Sequence, residues 1–487
     1  MFKNINCKNL PSLRRNIVYQ FLYELLIVFI PLFTIPYVSR VLGAENIGLF
    51  SYTYAVANYF VLFANLGIKN YGSRTIAMVR NNKEELNRNF SEILSIHIIF
   101  SIIVIFVYLV LLFFFVEDNL VIFLIQSIYV FAAVFDINWF FFGIEKFKLT
   151  VGRNTLVKIL SVFLVLVFVK TQTDLWIYAL ILALSVFVGQ SVVWFALKQY
   201  VSWRRPSWAN MKQHIRPLFV LFLPILALSL YKYMDKIMLG SISSNVQVGF
   251  YENAEKIINV PMSLIMAFGV VLMPRIANMV TSKDKGEVFK LIDMSMEAVM
   301  LLAIAISFGL AGISFVLAPI FLGYEFEECG ILIMGLAVTV PFMAFANVIR
   351  TQYLIPYKED KIFVVSLFLG AAVNLIVNII LIPYMAARGA VIGTIFAEII
   401  VCIYQSYFVR KKIFIKKYLL NTIPPILIGI VMFVFVFQIG NVMNINIVTL
   451  ILQLLVGMFI YAVGVFLLML KSRTRLMVLL RKFVVRY

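Results

Sequence analysis

Three cysteines in 487 residues are too few for a disulfide framework, and Cys7, Cys329 and Cys402 lie too far apart to form a metal-ligating motif. Charge is equally scarce. Only 13% of residues are Asp, Glu, Lys or Arg, against about 25% in soluble domains. The GxxxxGK[ST] phosphate loop is missing, which argues against an ATP-driven machine. Missing too is any polar stretch long enough to hold an extramembrane catalytic domain. One of the longer ones, KQYVSWRRPSWANMKQHIR, contains no carboxylate at all. A membrane polymerase or glycosyltransferase needs such a segment, so the sequence reads as a chain without enzymatic activity and without a cofactor.

Apolar sequence is what the chain has. It is 63% hydrophobic, with a mean hydropathy of +0.99. Windows of about 20 apolar residues, the length that crosses a bilayer as a helix, recur from end to end. The reading is an all-α polytopic membrane protein with fourteen spans: 14–39, 46–66, 90–115, 119–141, 152–170, 175–197, 216–240, 248–274, 292–317, 328–350, 360–382, 388–409, 420–438 and 445–470. The first run ends in IPYVSRVLG, with no small-residue cleavage site, and is expected to be retained.

A formal net charge of +19 raises the question of nucleic acid. Its distribution answers no. Of the 42 basic residues, Arg40, Lys170 and Arg388 fall in loops opposite the N-terminus and Lys158, Lys232, Lys236 and Lys256 within spans; all others lie on the N-terminal side. The opposite loops carry acids such as Glu325, Glu327 and Glu328. The positive-inside rule then places both termini in the cytoplasm, with basic loops against anionic membrane lipids.

The chain also repeats itself at about 200 residues. RVLGAENIGLFSYTYA (40–55) parallels IMLGSISSNVQVGFYENA (237–254), Arg74 in SRTIA parallels Arg275 in PRIA, and Pro31 parallels Pro224. FFFGIEKFKL (140–149) loosely matches YLIPYKEDKI (353–362). Six spans separate the copies, so both enter the membrane in the same direction: a parallel repeat, common in transporters. The expected organisation is an N-lobe at 1–200, a C-lobe at 201–410, and a C-terminal pair of spans with a basic tail at 411–487.

Charges inside spans are costly, about 2.5–3.5 kcal/mol each at mid-membrane, and mark function or specific pairing. Lys232, Asp235 and Lys236 stand at i, i+3 and i+4 on one helical face. The next span repeats the spacing with Glu252, Glu255 and Lys256, followed by Asn259 and Ser263. The two spans form a hairpin around SISSNVQ, which puts both triplets about 5–12 Å below one interface at 1.5 Å per residue. Two uses are open: a lattice of ion pairs that pins the hairpin, or a cavity wall whose lysines receive an anionic substrate.

The second span carries an uncharged polar stripe, Ser51, Asn58 and Asn65, with Tyr54 beside it. It suits either a wall for sugar hydroxyls or helix–helix hydrogen bonding. Arg40 and Lys158 complete the candidate substrate-binding set. Glu24 and Glu398 lie near mid-depth and are candidates for proton or ion coupling, or packing residues. Asp136 and Glu297, nearer the basic side, read as structural. His97 and His214 read as incidental.

PLFTIPYVSRVLGAENIGLFSY (31–52), WFFFGIEKFK with Arg153-Asn154 and Lys158 after it, DKIMLGSISSNVQVGFYENAEKI (235–257) and MPRIA (273–277) resemble the Wzx-type oligosaccharide-unit flippases, polysaccharide transporters of the multidrug/oligosaccharidyl-lipid/polysaccharide exporter superfamily. The resemblance runs over essentially the whole chain. It implies two six-helix lobes in a V, and an undecaprenyl-pyrophosphate-linked oligosaccharide as substrate, turned from the cytoplasmic to the outer leaflet of a bacterial cytoplasmic membrane for O-antigen or capsule assembly. It further implies alternating access, coupling to an ion gradient, and work beside a polymerase and glycosyltransferases. One departure is the balance of in-span charge: such cavities are thought electropositive, whereas acids outnumber lysines here. A drug or cation antiporter of the same superfamily is the alternative, with a peptidoglycan-precursor flippase as a further transport reading.

Overall fold

A computed structural model of the chain describes residues 10–281, 285–471 and 476; of the side chains, those at 10–29, 147, 148, 231, 270, 281 and 285 are not described. Every regular element among the described residues is helical. In hydrocarbon each backbone N–H and C=O must find a partner within its own segment, and a helix supplies it. The helices are α1 (Leu10–Asn65), α2 (Ile68–Val79), α3 (Lys83–Phe115), α4 (Leu120–Val134), α5 (Asn138–Gly143), α6 (Phe147–Phe168), α7 (Leu175–Leu197), α8 (Trp208–Ile242), α9 (Asn245–Thr281), α10 (Lys285–Leu322), α11 (Cys329–Ala337), α12 (Thr339–Ile349), α13 (Asp360–Met385), α14 (Ala387–Val409), α15 (Ile415–Val442) and α16 (Ile447–Lys471).

Thirteen helical stretches among the described residues are long and apolar enough to cross a membrane. The fourteenth expected span is inside α1, which is two helices meeting at Gly43 (φ 77°, ψ 172°). That left-handed φ is open to glycine and strained for any residue with a Cβ. The first two expected spans are thus the two arms of a kinked rod. The fourth is also divided, into α4 and α5, and the tenth into α11, α12 and a π-helical turn at Arg350–Leu354.

The chain folds as two compact units, Met1–Ser229 and Leu230–Tyr487, with the boundary inside α8. In the first, an aromatic core of Phe90, Trp139, Phe140 and Phe141 lies under α2, whose Ile68 and Ile76 are fully buried. The approach of α2 to α5 depends on glycine: a Cβ on Gly72 would stand 2.5 Å from the Trp139 ring. In the second unit α13 and α14 form a hairpin, α9, α11 and α12 pack on α14, and α15 and α16 pack on α10. Ile313, Met432 and Val436 form the buried centre of that last contact. The outer faces are apolar and exposed, as at Phe106, Phe113, Phe435 and Phe459, which is the surface a helix presents to lipid.

Candidate functional site

The α8–α9 hairpin gathers the charges as the spacing predicts, but not with the expected partners. Lys236 is the hub. Its Nζ lies 2.5 Å from Glu252 Oε2 and 2.8 Å from Glu255 Oε2, and Lys256 Nζ lies 3.0 Å from Glu252 Oε1. The closest of these is an ion pair outside hydrogen-bond alignment. Lys236 is 7% exposed, so its ammonium has been traded from water to two carboxylates. Lys232 stands outside this lattice, exposed, its Nζ 5.3 Å from the Tyr233 ring centre. Asn259 is exposed, and the Ser263 hydroxyl donates to the Val260 carbonyl of its own helix.

Asp235 corrects the expectation that all six charges neutralise one another across the hairpin. One residue along a helix rotates a side chain by about 100°, and Asp235 enters a different environment from Lys236. Its Oδ2 accepts from Tyr251 Oη at 2.6 Å and lies 3.0 Å from Thr394 Oγ1; its Oδ1 accepts from Asn378 Nδ2 at 2.5 Å. Asn378 Nδ2 also lies 3.2 Å from Asn374 Oδ1. Asp235, Tyr251, Asn374 and Asn378 are all buried. A glycine makes the approach possible, because a Cβ on Gly393 would stand 2.1 Å from Asn378 Oδ1.

This shell is rich in acceptors. The Thr394 hydroxyl has one proton and two acceptors at 3.0 Å, Asp235 Oδ2 and the Ala390 carbonyl, while Asn378 Oδ1 has no hydrogen-bond partner. One carboxylate among amide and hydroxyl oxygens is the donor chemistry that suits a hard cation or a proton. Asn374, Asn378 and Thr394 escaped the sequence reading. Their signal was the i, i+4 pairs of polar residues, Asn374/Asn378 and Thr394/Glu398, inside apolar runs.

Glu398 is buried in α14, within the electrostatic reach of Arg350. Glu24 belongs to residues 10–29, whose side chains lie outside the described residues. In the first unit, Tyr54 stacks on Phe50 (ring centres 5.6 Å apart) and meets Tyr129 edge-on at 5.1 Å. Phe50 also meets Tyr178 at 4.9 Å. The amides of Asn58 and Asn65 donate to the carbonyls of Tyr54 and Val61 one turn earlier, so the hydrogen bonds of this stripe stay within their own helix. Arg40 is exposed, and Lys158 is half-buried with no ion pair among the described residues. Asp136 is structural: its Oδ1 accepts from the backbone N–H and the side chain of Asn138, at the start of α5.

His214 is not incidental. Its Nε2 lies 2.9 Å from Glu92 Oε2 and its Nδ1 2.6 Å from Tyr71 Oη, with His214 and Glu92 both buried. The segment before it is tied to the same helix, since the N–H of Ser202 donates to Asn87 Oδ1 and that of Arg204 to Ser91 Oγ. These contacts hold the start of α8 and the segment before it against α3. Replacing His214 by Leu leaves Glu92 buried without its hydrogen-bond partner, and a buried polar group left unsatisfied in this way costs about 1–3 kcal/mol. The expected outcome is a marked fall in unfolding temperature in detergent, largely reversed when Glu92→Gln is added.

Long apolar helices able to cross a membrane, with a buried polar centre within them, define a multi-pass membrane protein. Residues 13–280 match the model of the polysaccharide biosynthesis protein family, and the chain belongs to that family. It is 24% identical over 408 residues to a putative O-antigen transporter of Shigella dysenteriae (81% of this chain, 99% of that one) and 26% identical over 412 residues to a putative O-antigen transporter of Escherichia coli K12 (83% and 98%). Lipid II flippase MurJ of Bacillus subtilis is 28% identical over 224 residues, covering 42% of this chain and 41% of that one. Among solved structures, lipid II flippase MurJ in its inward closed conformation superposes with a TM-score of 0.72 at 16% identity, over 92% of this chain and 97% of that one. An inward-facing multidrug resistance MATE family transporter of the MOP superfamily superposes at 0.59 and 14% identity, over 80% and 97%. The kinship agrees with the resemblance to polysaccharide transporters and with a transporter that is not an enzyme.

Proposed function

We propose that the protein carries an undecaprenyl-pyrophosphate-linked oligosaccharide repeat unit from the cytoplasmic to the outer leaflet of a bacterial inner membrane, for O-antigen or capsule assembly. The observation that carries this reading is the near-full-length similarity to two putative O-antigen transporters, in a chain whose spans hold buried, paired charge. A pyrophosphate requires cations, and Lys232, exposed beside a neutralised lattice, is the cation placed to offer one; Arg40 and Lys158 are further candidates. Aromatic and amide side chains around Tyr54 and Asn58 suit a glycan. The basic charge of the loops on the N-terminal side supports a cytoplasmic location for both termini. Six spans in each lobe (1–200 and 201–410) and two appended spans (411–487) complete the arrangement, which serves a polymerase and glycosyltransferases. Transport is by alternating access driven by an ion gradient, and the two described buried carboxylates placed to answer to an ion are Asp235 and Glu398.

The test uses proteoliposomes with a fluorescent prenyl-pyrophosphate oligosaccharide in the inner leaflet and a lectin outside. Protein-dependent exposure that rises with a proton or sodium gradient and falls in Lys232→Ala is the expected result. The acceptor-rich surroundings of Asp235 favour one second reading, a cation-coupled drug antiporter. No exposure of a matched glycolipid, with extrusion of a cationic dye from the same vesicles, decides for it.

A further inference from the structure

The π-helical turn at Arg350–Leu354 brings together polar groups that have no partner. Turns of this type are rare and cluster at functional sites, because the extra residue per turn loosens the hydrogen-bond ladder and redirects side chains. Here it directs them inward. Gln352 has no exposure, and neither its amide oxygen nor its nitrogen has a hydrogen-bond partner. Asn347 is 3% exposed; its Oδ1 accepts from Arg350 Nη2 at 2.7 Å, but its Nδ2 is unpartnered. Tyr357 Oη, past the turn, is buried and unpartnered as well. The Thr351 hydroxyl is engaged by the Asn347 carbonyl at 2.7 Å. On the facing helix, a Cβ at Gly269 would stand 2.8 Å from Thr351 Oγ1 and 3.0 Å from Asn347 Nδ2, so this wall is bare backbone.

Buried polar groups are almost always satisfied, and where protein does not satisfy them internal water does, making about three hydrogen bonds at each site. The unpartnered atoms fall on Asn347, Gln352 and Tyr357, the last beside the α12–α13 turn; Arg350, between the first two and bonded to Asn347, feels the charge of Glu398 on α14, against which α12 packs. Arg350 also lies 5.4 Å from the Phe363 ring centre. On its own helix the other titratable group near Glu398 is Cys402, one turn on, and from α8 Asp235 bonds Thr394, one turn back.

We propose that the π-helical turn holds a file of internal waters through which Glu398 exchanges protons with the solution beside the α12–α13 turn. The carboxylate gains an O–H bond as the nearest water gives up a proton; each water is replenished by the next, the last by hydronium from solution. The inference rests on the ion-coupled transport proposed above and names the route by which one coupling group is served.

Infrared difference spectroscopy of the protein in proteoliposomes tests it, reading the protonated-carboxyl C=O band as bath pH changes and after exchange into D2O. The expected result is a pH-responsive band that Glu398→Gln removes. Its D2O shift should slow about tenfold or more in Gln352→Leu and Asn347→Leu. Gly269→Ala, which crowds the array from the opposite wall, is read in the same way should either variant not fold. A wild-type band from Glu398 that ignores bath pH overturns the proposal, as does exchange at wild-type rate in all three folded variants. Glycolipid exposure is followed on the same vesicles: a normal band response without exposure upholds the proton route and removes the glycolipid reading, whereas exposure without a band response removes the proton route alone.

Discussion

Lys236→Met is expected to lower unfolding stability by about 3–5 kcal/mol, the usual cost of breaking a buried ion pair from one side. The size follows from what remains. Glu252 and Glu255 both reach Lys236 Nζ, and Lys256, the other lysine of the lattice, pairs with Glu252. Without Lys236, Glu255 is left in a largely dehydrated place beside Glu252, having lost the lysine that paired with it. Thermal unfolding in detergent measures the effect. Adding Glu252→Gln and Glu255→Gln removes the stranded charge, and the triple variant is expected to recover most of the loss, because neutral replacements of a buried ionic cluster are often tolerated.

The same variants separate brace from binding site. A triple variant that folds and exposes glycolipid at the wild-type rate makes the lattice a brace alone. One that folds and does not transport makes its charges part of the path. Lys232 is the control: exposed and outside the lattice, it is expected to change stability by no more than about 0.5 kcal/mol when replaced by Ala. Loss of transport in Lys232→Ala would therefore report on cargo, whereas the same loss in Lys236→Ala would be confounded by unfolding.

Much of the architecture was legible in the sequence because bilayer thickness and backbone satisfaction leave few choices. Apolar runs of the right length become helices, and the expected spans coincide with observed ones to within a few residues over most of the chain. Gly43 allowed the first two to join as one kinked rod, and a lone glycine between two apolar runs does not announce whether the chain will turn or only bend. Charge spacing correctly brought Lys236, Glu252, Glu255 and Lys256 together, since i, i+3 and i+4 neighbours share a face whatever the tertiary fold. It failed at Asp235, which besides Tyr251 takes its partners from α13 and α14, some 143 and 159 positions away. His214 failed for the same reason. Its partner Glu92 is 122 residues distant, and nothing local distinguishes a docked histidine from a solvated one. The orphaned amides at the π-helical turn are likewise a property of helix register, which composition does not encode.

Asp235→Asn is expected to leave the fold intact and to uncouple it from the ion. The substitution keeps volume and an acceptor for the Tyr251 hydroxyl, but removes the one formal charge among the oxygens of Asn374, Asn378 and Thr394. If a monovalent cation binds that shell in the folded protein alone, it stabilises the wild type by RT ln(1 + [L]/Kd), about 2.7 kcal/mol at a hundredfold excess over Kd. Wild-type unfolding temperature should then rise when choline chloride is exchanged for sodium chloride at constant ionic strength, and Asp235→Asn should show no rise. Gly393→Ala should lose it too, by a different cause: its Cβ would stand 2.1 Å from Asn378 Oδ1 and force that ligand aside. A wild type indifferent to sodium but stabilised by acid, with Asp235→Asn indifferent to both, would assign the shell to a proton instead. Equal responses to sodium and acid in wild type and Asp235→Asn would reduce Asp235 to a strut between α8 and the α13–α14 hairpin, and leave Glu398 as the described carboxylate through which a gradient could drive transport.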